Sequence, residues 1–316
     1  MTQVSHTSPK ADVYARVTER IVEDLAAGVR PWMKPWSSAR AVRGLGAVTR
    51  PLRHNGAPYR GVNVLLLWGE AQARGFTSPT WMTYRQAQEI GAQVRKGEAG
   101  SLVVYADRYI PKSAKSETNE RGEQAEREVA FLKGYTVFNV EQIEGLPAKY
   151  TEPAEPAAAT CGPVAMHEAA EAFFAATGAK FCYGGDRAFY APSRDFIQLP
   201  VREVFRDAES FAATKAHELI HWTGTATRNA REFGVRFGDR AYAFEELVAE
   251  LGAAFLCADL GITPEVREDH AAYLAGWLEV LKDDKRAIFS AAAHAQRAVD
   301  YLQALQPASQ VEPLAA

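Results

Sequence analysis

The segment FAATKAHELIHWTG, residues 211–224, contains the motif His217-Glu218-Leu219-Ile220-His221 and decides the class of the second half of the chain. On an α-helix, residues four positions apart share one face, so both imidazoles can point at one tetrahedral metal ion. Glu218 lies beside them, where a carboxylate can take a proton from water and return it to a leaving amine. The motif predicts a metal site with His217 and His221 as ligands and Glu218 as the catalytic base.

A catalytic zinc site needs a third protein ligand, and the next predicted helix, with the sequence Glu245-Glu246-Leu247-Val248-Ala249-Glu250, supplies a carboxylate. This arrangement resembles the gluzincin metallopeptidases, whose downstream helix carries E-x-x-small-[D/N]. The resemblance implies that Glu246 binds the metal and that Glu250 holds His217. Glu250 remains an alternative ligand, because Glu stands where Asp or Asn is usual. Imidazole and carboxylate ligands favour Zn²⁺, with Mn²⁺ or another divalent ion as alternatives.

The remaining parts of a peptidase site are less clearly marked in the sequence. Tyr242, Arg228 and Arg231 are candidates for stabilising a transition state, since each can donate a hydrogen bond to a developing oxyanion. The predicted strand at residues 195–199 is the expected edge to which an extended peptide could add. A metal-binding fold that no longer cleaves peptides is the alternative.

Length and composition favour two soluble domains. The chain has 316 residues, about twice a usual domain, with 47% hydrophobic and 24% charged residues, which excludes a chain disordered throughout. No apolar run suits a signal peptide or a membrane span, so we expect a cytoplasmic protein without a membrane partner. The three cysteines lack CxxC spacing, and no P-loop motif is present.

Residues 145–162 are rich in Pro and Ala without periodic hydrophobicity, which predicts a linker at 151–162 between domains 1–150 and 163–316. We expect each domain to bury its own core and to fold alone. The predicted class is α+β in both domains. Sequence periodicity predicts helices at 12–27, 63–73, 83–90, 163–177, 210–223, 241–260, 264–281 and 285–305, and strands at 101–109, 131–139, 180–183, 187–190 and 195–199.

The N-terminal third is basic although the net charge of the chain is -3. Residues 1–110 hold fifteen Lys and Arg against eight Asp and Glu, and residues 25–69 contain no acid. Cations interleaved with aromatic rings are typical of proteins that bind single strands, because rings stack on unpaired bases while cations meet phosphates. Trp32 and Trp36 have a core position as their alternative. The predicted DNA contacts are Arg30, Trp32, Lys34, Trp36, Arg40, Arg43, Arg50, Arg53, Tyr59 and Arg60.

Five segments together resemble the ArdC antirestriction proteins of conjugative plasmids: RPWMKPW (30–36), YRGVNVLLLW (59–68), SPTWMTYRQAQEIGAQVRKGEAG (78–100), HELIHWTG (217–224) and EELVAELGAAF (245–255). The N-terminal region is also similar to that of plasmid TraC primases. The resemblance implies a single-stranded-DNA-binding domain joined to a zincin-like metallopeptidase domain, and a role in protecting incoming plasmid DNA from restriction. It leaves open a protein substrate, such as a restriction-system component.

Two other functions fit the same residues. One is an intracellular zinc peptidase whose basic domain only recruits a protein substrate. The other is a DNA-binding module with a non-catalytic metal site.

Overall fold

The computed structural model describes residues 12–32, 49–109, 129–151, 163–233, 240–262 and 270–307. Residues 112–128 and the predicted linker beyond residue 151 lie outside these ranges. The first half contains helices α1 (Val13–Ala26), α2 (Val62–Arg74), α3 (Tyr84–Glu89) and α4 (Ala148–Thr151), and strands β1 (Leu52–Arg53), β2 (Thr80–Met82), β3 (Gln93–Val94), β4 (Ser101–Tyr109), β5 (Val129–Asn139) and β6 (Ile143–Glu144).

The second half contains three strands followed by long helices, which confirms the predicted α+β class. Within the described residues, none of the helices is long and apolar enough to cross a membrane. The elements are α5 (Pro163–Ala176), β7 (Phe181–Tyr183), β8 (Phe189–Ala191), β9 (Phe196–Leu199), α6 (Ala208–Trp222), α7 (Arg240–Leu260), α8 (His270–Asp283) and α9 (Ala287–Ala304).

Four strands of the first half form a sheet in the order β1-β2-β5-β4. Strands β4 and β5 pair antiparallel along the whole of β4, from Ser101 opposite Val137 to Tyr109 opposite Val129. Helix α2 packs on β4. The sheet is thus covered on one side and carries a long hairpin.

Helix α1 shows that the two halves share one hydrophobic core. Asp12 caps the helix by accepting a hydrogen bond from the Tyr14 N–H at 3.1 Å. The buried stripe of α1 lies in the same apolar cluster as residues of α7 and α9. Trp68 of α2 packs against Phe255 of α7 with ring centroids 6.0 Å apart. The expectation of two self-sufficient cores is corrected, because apolar spacing shows which face of a helix is buried but not which element covers it.

Polar side chains also join the halves across this core. Arg50, 5% exposed, donates from Nε and Nη2 to the two carboxylate oxygens of Asp259 at 2.6 and 2.8 Å. Its Nη1 donates to Gln296 at 2.7 Å. The Thr18 hydroxyl on α1 donates to the carbonyl of Lys285 at 2.7 Å, just before α9. These bonds fix the orientation of the first half on α7 and α9.

Helices α6 and α7 pack closely, and a glycine permits the approach. Asp207 caps α6 by accepting a hydrogen bond from the Ser210 N–H at 2.7 Å. A Cβ placed on Gly252 of α7 would lie 2.9 Å from Cγ2 of Ile220 on α6, a separation that real Cβ atoms almost never show. The small residues after Glu250 therefore bring the two predicted site helices together.

The three-stranded sheet has the order β7-β9-β8, so β9 is central and pairs on both sides. The prediction of an edge strand at residues 195–199 is wrong. Alternation of apolar residues identifies a strand but does not give its place in a sheet. Strand β8 is an edge, and it borders the site described below.

Candidate metal centre

The two histidines of the motif lie one turn apart on α6 and face the same point. His217 and His221 are 6% and 8% exposed. Their ring centroids are 4.9 Å apart, and the ring planes meet at 78°. Because α7 packs against this face, both imidazoles are withdrawn from bulk water while their Nε2 atoms point toward α7.

Glu246 of α7 completes the group. Its Oε2 lies 3.5 Å from Nε2 of His217, and its Oε1 lies 3.5 Å from Nε2 of His221. One ligand atom from each of the three residues falls within 4.8 Å of the others. Atoms bound to one tetrahedral zinc ion at about 2.0–2.2 Å are about 3.3–3.6 Å apart. These residues therefore fit a divalent cation.

Glu250 lies behind His217, on the side away from Glu246. Its Oε2 is 3.8 Å from Nδ1 of His217, beyond the reach of a hydrogen bond. This Nδ1 is buried and has no hydrogen-bond partner among the described residues. A metal-bound imidazole usually gives its second N–H to an acceptor, and the carboxylate of Glu250 faces that atom. Glu246 thus lies on the Nε2 side shared by both histidines, whereas Glu250 lies on the Nδ1 side of His217.

Glu245, to which the sequence motif gave no role, holds the second histidine. Oε1 of Glu245 lies 3.1 Å from Nδ1 of His221. Arg231 donates to both oxygens of Glu245, from Nε at 2.9 Å and from Nη2 at 2.8 Å. It also donates to the carbonyl of Ile220 at 2.7 Å, near the end of α6. The adjacent Glu245-Glu246 pair was the available signal, since neighbours on a helix point about 100° apart and can serve different histidines.

Charge interactions shift the pKa values of His221 and Glu246. Burial lowers the pKa of His221, but hydrogen bonds to Glu245 and Glu246 outweigh it and raise the pKa to about 10. Burial raises the pKa of Glu246, but the two histidines lower it well below its usual range. A metal ion binds only the deprotonated imidazole of His221, so it competes with a proton there. Metal affinity should consequently rise with pH.

A cleft of about 480 Å³ opens onto these residues, and Glu218 lines it. Strand β8 borders the cleft on one side, and Tyr242 and Tyr273 border it on another. The two tyrosine hydroxyls are 3.3 Å apart. Burial raises the pKa of Tyr242, so its hydroxyl stays protonated and can donate a hydrogen bond. The cleft can hold a short extended segment beside the cluster.

Of the three transition-state candidates, only Tyr242 lines this cleft. Arg228 forms an ion pair with Asp195 and donates to the carbonyl of Trp222 at 2.6 Å. Arg231 is engaged by Glu245, as described above. Both arginines stabilise the end of α6, and neither lines the cleft.

Comparison with known proteins agrees with this architecture. Residues 11–138 match the N-terminal domain of anti-restriction factor ArdC, and residues 168–294 match the zincin-like metallopeptidase family. The metal-free crystal structure of antirestriction protein ArdC from plasmid R388 matches with a TM-score of 0.74 and 44% identity, over 93% of this chain and 97% of that one. This chain belongs to the ArdC family.

Other ArdC relatives extend the comparison. The Mn(II)-bound structure of R388 ArdC matches with a TM-score of 0.74 and 43% identity, over 95% of this chain and 100% of that one. A protein of Sinorhizobium fredii (strain NBRC 101917 / NGR234), named uncharacterized protein y4eC, is 42% identical over 95% of this chain and 94% of its own length. The DNA primase TraC of Escherichia coli is 38% identical over 94% of this chain, which spans only 27% of that primase.

The structure places three of the predicted DNA contacts of this ArdC-family chain in the interior, namely Trp32, Arg50 and Tyr59. Trp32 is fully buried, and Arg50 is 5% exposed and bonded to Asp259. A buried ring offers no face to a base, and a buried paired guanidinium meets no phosphate. The expectation that Trp32, Arg50 and Tyr59 contact DNA is therefore corrected.

The other predicted contacts differ in accessibility. Arg53 is exposed, with its guanidinium carbon 5.5 Å from the ring centroid of Tyr59, which is itself 8% exposed. Arg60 is exposed but pairs with Asp300 of α9. Arg30 is half-buried, and its Nη1 has no hydrogen-bond partner within the described part of the chain. The predicted contacts that lie outside the described residues are Lys34, Trp36, Arg40 and Arg43.

Proposed function

We propose that this ArdC-family protein protects incoming plasmid DNA from restriction in the cytoplasm of a recipient cell. It does so by binding single-stranded DNA through its first half and a divalent metal through His217, His221 and Glu246. One observation carries the proposal. The segment that matches the ArdC N-terminal domain shares a hydrophobic core with the helices that hold a buried three-residue cation site. Zn²⁺ is the proposed ion, and Mn²⁺ is the alternative.

We assign base stacking to an exposed tyrosine pair on the β4–β5 hairpin. Tyr105 and Tyr135 are 51% and 40% exposed, with ring centroids 6.3 Å apart. Lys133 lies opposite Tyr105 in the strand register, and its ammonium is 5.0 Å from the ring centroid of Tyr135. Exposed rings can stack on unpaired bases, and the neighbouring cation can meet phosphates. The buried Trp32 offers no such surface. The exposed Arg53 remains a proposed phosphate contact.

Tyr105→Ala and Tyr135→Ala should each weaken single-stranded DNA binding by about 1–3 kcal/mol. The salt dependence should change little, because stacking releases no counterion. Lys133→Gln should instead reduce the slope of log K against log salt by about 0.7, the contribution of one phosphate contact. Fluorescence anisotropy of a labelled oligo(dT), titrated over a series of NaCl concentrations, measures both effects.

Tyr183→Ala is the matched control, since Tyr183 is 53% exposed in the other half of the chain. The stacking assignment is abandoned if the Tyr105→Ala/Tyr135→Ala variant binds as tightly as Tyr183→Ala. Equal affinity of the native chain for duplex and single strands would remove the single-strand preference itself. The same variants can be scored for transfer of unmodified plasmid DNA into restricting and non-restricting recipients.

We further propose peptide hydrolysis in the cleft. A divalent ion bound at the cluster would supply Lewis-acid polarisation of a carbonyl group. Glu218 would take a proton from water and return it to the leaving amine, and Tyr242 would donate a hydrogen bond to the carbonyl oxygen. An extended substrate can pair with the edge of β8, whose Phe189 is 40% exposed and lines the cleft. A restriction-system component is the proposed class of substrate.

Glu218→Gln should lower cleavage of fluorescent casein by about 10²–10⁴-fold, because it removes the proton-accepting carboxylate but keeps its shape. Metal content should stay unchanged. Glu209→Gln, on the first turn of the same helix and outside the cleft, is the control. Equal cleavage by native and Glu218→Gln protein would remove Glu218 from the role of base.

The two alternatives give different results in these assays. A chain that cleaves casein but shows no salt-dependent binding of oligo(dT) would be a peptidase whose basic half recruits protein. A chain that binds both DNA and metal but cleaves nothing would carry a non-catalytic metal site.

A further inference from the structure

Glu250 connects the metal centre to a residue from the other half of the chain. Its Oε2 faces Nδ1 of His217 at 3.8 Å, while its Oε1 accepts a hydrogen bond from the indole Nε1 of Trp32 at 3.4 Å. Trp32 precedes Glu250 by 218 residues. It lies in the segment that matches the ArdC N-terminal domain and outside the zincin-like match.

Both groups of this contact are buried, so water cannot replace either partner of the hydrogen bond. Glu250 is 4% exposed and Trp32 is fully buried. A buried carboxylate needs hydrogen-bond donors in fixed positions, and an indole N–H can only donate. The indole N–H therefore fixes Oε1 of Glu250 and limits where its second oxygen can lie, which is the oxygen that faces His217.

Stacked rings hold Trp32 in place and extend to the cleft. Trp32 meets Trp277 edge-on at 6.2 Å between centroids, and Trp277 stacks on Tyr273 at 6.3 Å with 16° between planes. Tyr273 in turn stacks on Tyr242 at 6.2 Å. The last two rings line the cleft. Trp32, a side chain of the first half, thus contacts Glu250 behind His217 and also supports, through Trp277, the tyrosines that form one wall of the cleft.

We propose that Trp32 is a positioning residue of the metal centre, acting on His217 through Glu250. The first half of the chain thereby sets part of the metal affinity of the second half. The inference rests on the proposed metal site at His217, His221 and Glu246. It does not depend on DNA binding or on peptide cleavage.

The test measures Mn²⁺ affinity of full-length chains by titration with EPR detection of free Mn²⁺. Trp32→Phe keeps an aromatic ring but removes the N–H, and should weaken Mn²⁺ binding by about 3- to 10-fold. Glu250→Gln should weaken it by about 10- to 100-fold, as is usual for carboxylates that orient a metal ligand. In the Glu250→Gln background, adding Trp32→Phe should cost less than it does alone.

Trp68→Phe is the matched control. Trp68 is equally buried and donates its indole N–H to the carbonyl of Thr49 at 3.1 Å, so it loses the same bond type in the same core. If Trp32→Phe and Trp68→Phe bind Mn²⁺ equally, the positioning role is refuted. Unchanged Mn²⁺ affinity in Glu250→Gln refutes it too, whether or not Trp32→Phe folds. A native chain that binds no Mn²⁺ or Zn²⁺ would instead overturn the metal site itself.

Discussion

Arg50→Met is expected to lower the free energy of unfolding of the whole chain by about 3 kcal/mol. The substitution leaves the carboxylate of Asp259 without its bidentate partner at the junction of the two halves. Removing one member of a buried ion pair typically costs about 3–5 kcal/mol, and Asp259 is 21% exposed, which favours the lower end. Urea unfolding followed by circular dichroism measures the change. Because the core is shared, native protein should unfold in one transition.

Arg53→Met is the control for Arg50→Met, since Arg53 is exposed and its replacement should change stability by no more than about 0.5 kcal/mol. The double variant Arg50→Met/Asp259→Leu should recover much of the loss, because no buried charge is left unpaired. If Arg50→Met is as stable as Arg53→Met but binds single-stranded DNA less tightly than the native chain, Arg50 belongs among the DNA contacts.

The variant His217→Ala/His221→Ala should lose metal binding below detection, because two of three protein ligands are gone. Native protein should hold about one divalent ion per chain by elemental analysis. A metal present at 100 times its dissociation constant should stabilise the native fold by about 2.7 kcal/mol, and the variant should show no such gain. Thermal unfolding with and without Zn²⁺ reports this directly.

His54→Ala/His294→Ala removes the same number of imidazoles but none of the proposed ligands, and it should retain metal and its stabilising effect. Metal retained by both double variants would mean that the cluster on α6 and α7 is not the binding site. Loss of metal in both would point to a general effect of unfolding, which circular dichroism detects.

Local patterns were sufficient to predict much of the fold. The apolar spacing of α1, preceded by Asp12 and ended by Gly28 with φ +75°, gives a helix at Val13–Ala26, inside the predicted 12–27. Strand β4 has the predicted bounds. The place of β9 in its sheet was missed because alternation records burial of a face, and both central and edge strands can alternate.

The metal cluster was predictable because the spacing of its residues along α6 and along α7 follows the period of a single helix. Glu245 was missed because its role depends on Arg231 and on the angle between α6 and α7. Trp32 and Arg50 were misplaced for a different reason. The acid-free window at residues 25–69 describes charge along the chain, whereas Asp259 and Asp300 reach it only through the fold. A basic stretch of sequence is therefore not always a basic surface.

The common core also bears on how such a gene can recombine. A cut between the halves would expose Trp68 and Phe255 and leave Asp259 without Arg50. In the Escherichia coli primase TraC, a segment matching 94% of this chain occupies 27% of the polypeptide, so both halves occur there together. A gene fusion can therefore transfer a folded unit only if it includes both halves of the chain. A chimera that combines one half with the other half of a distant relative should then fold only if the residues that pack across the shared core are exchanged as well.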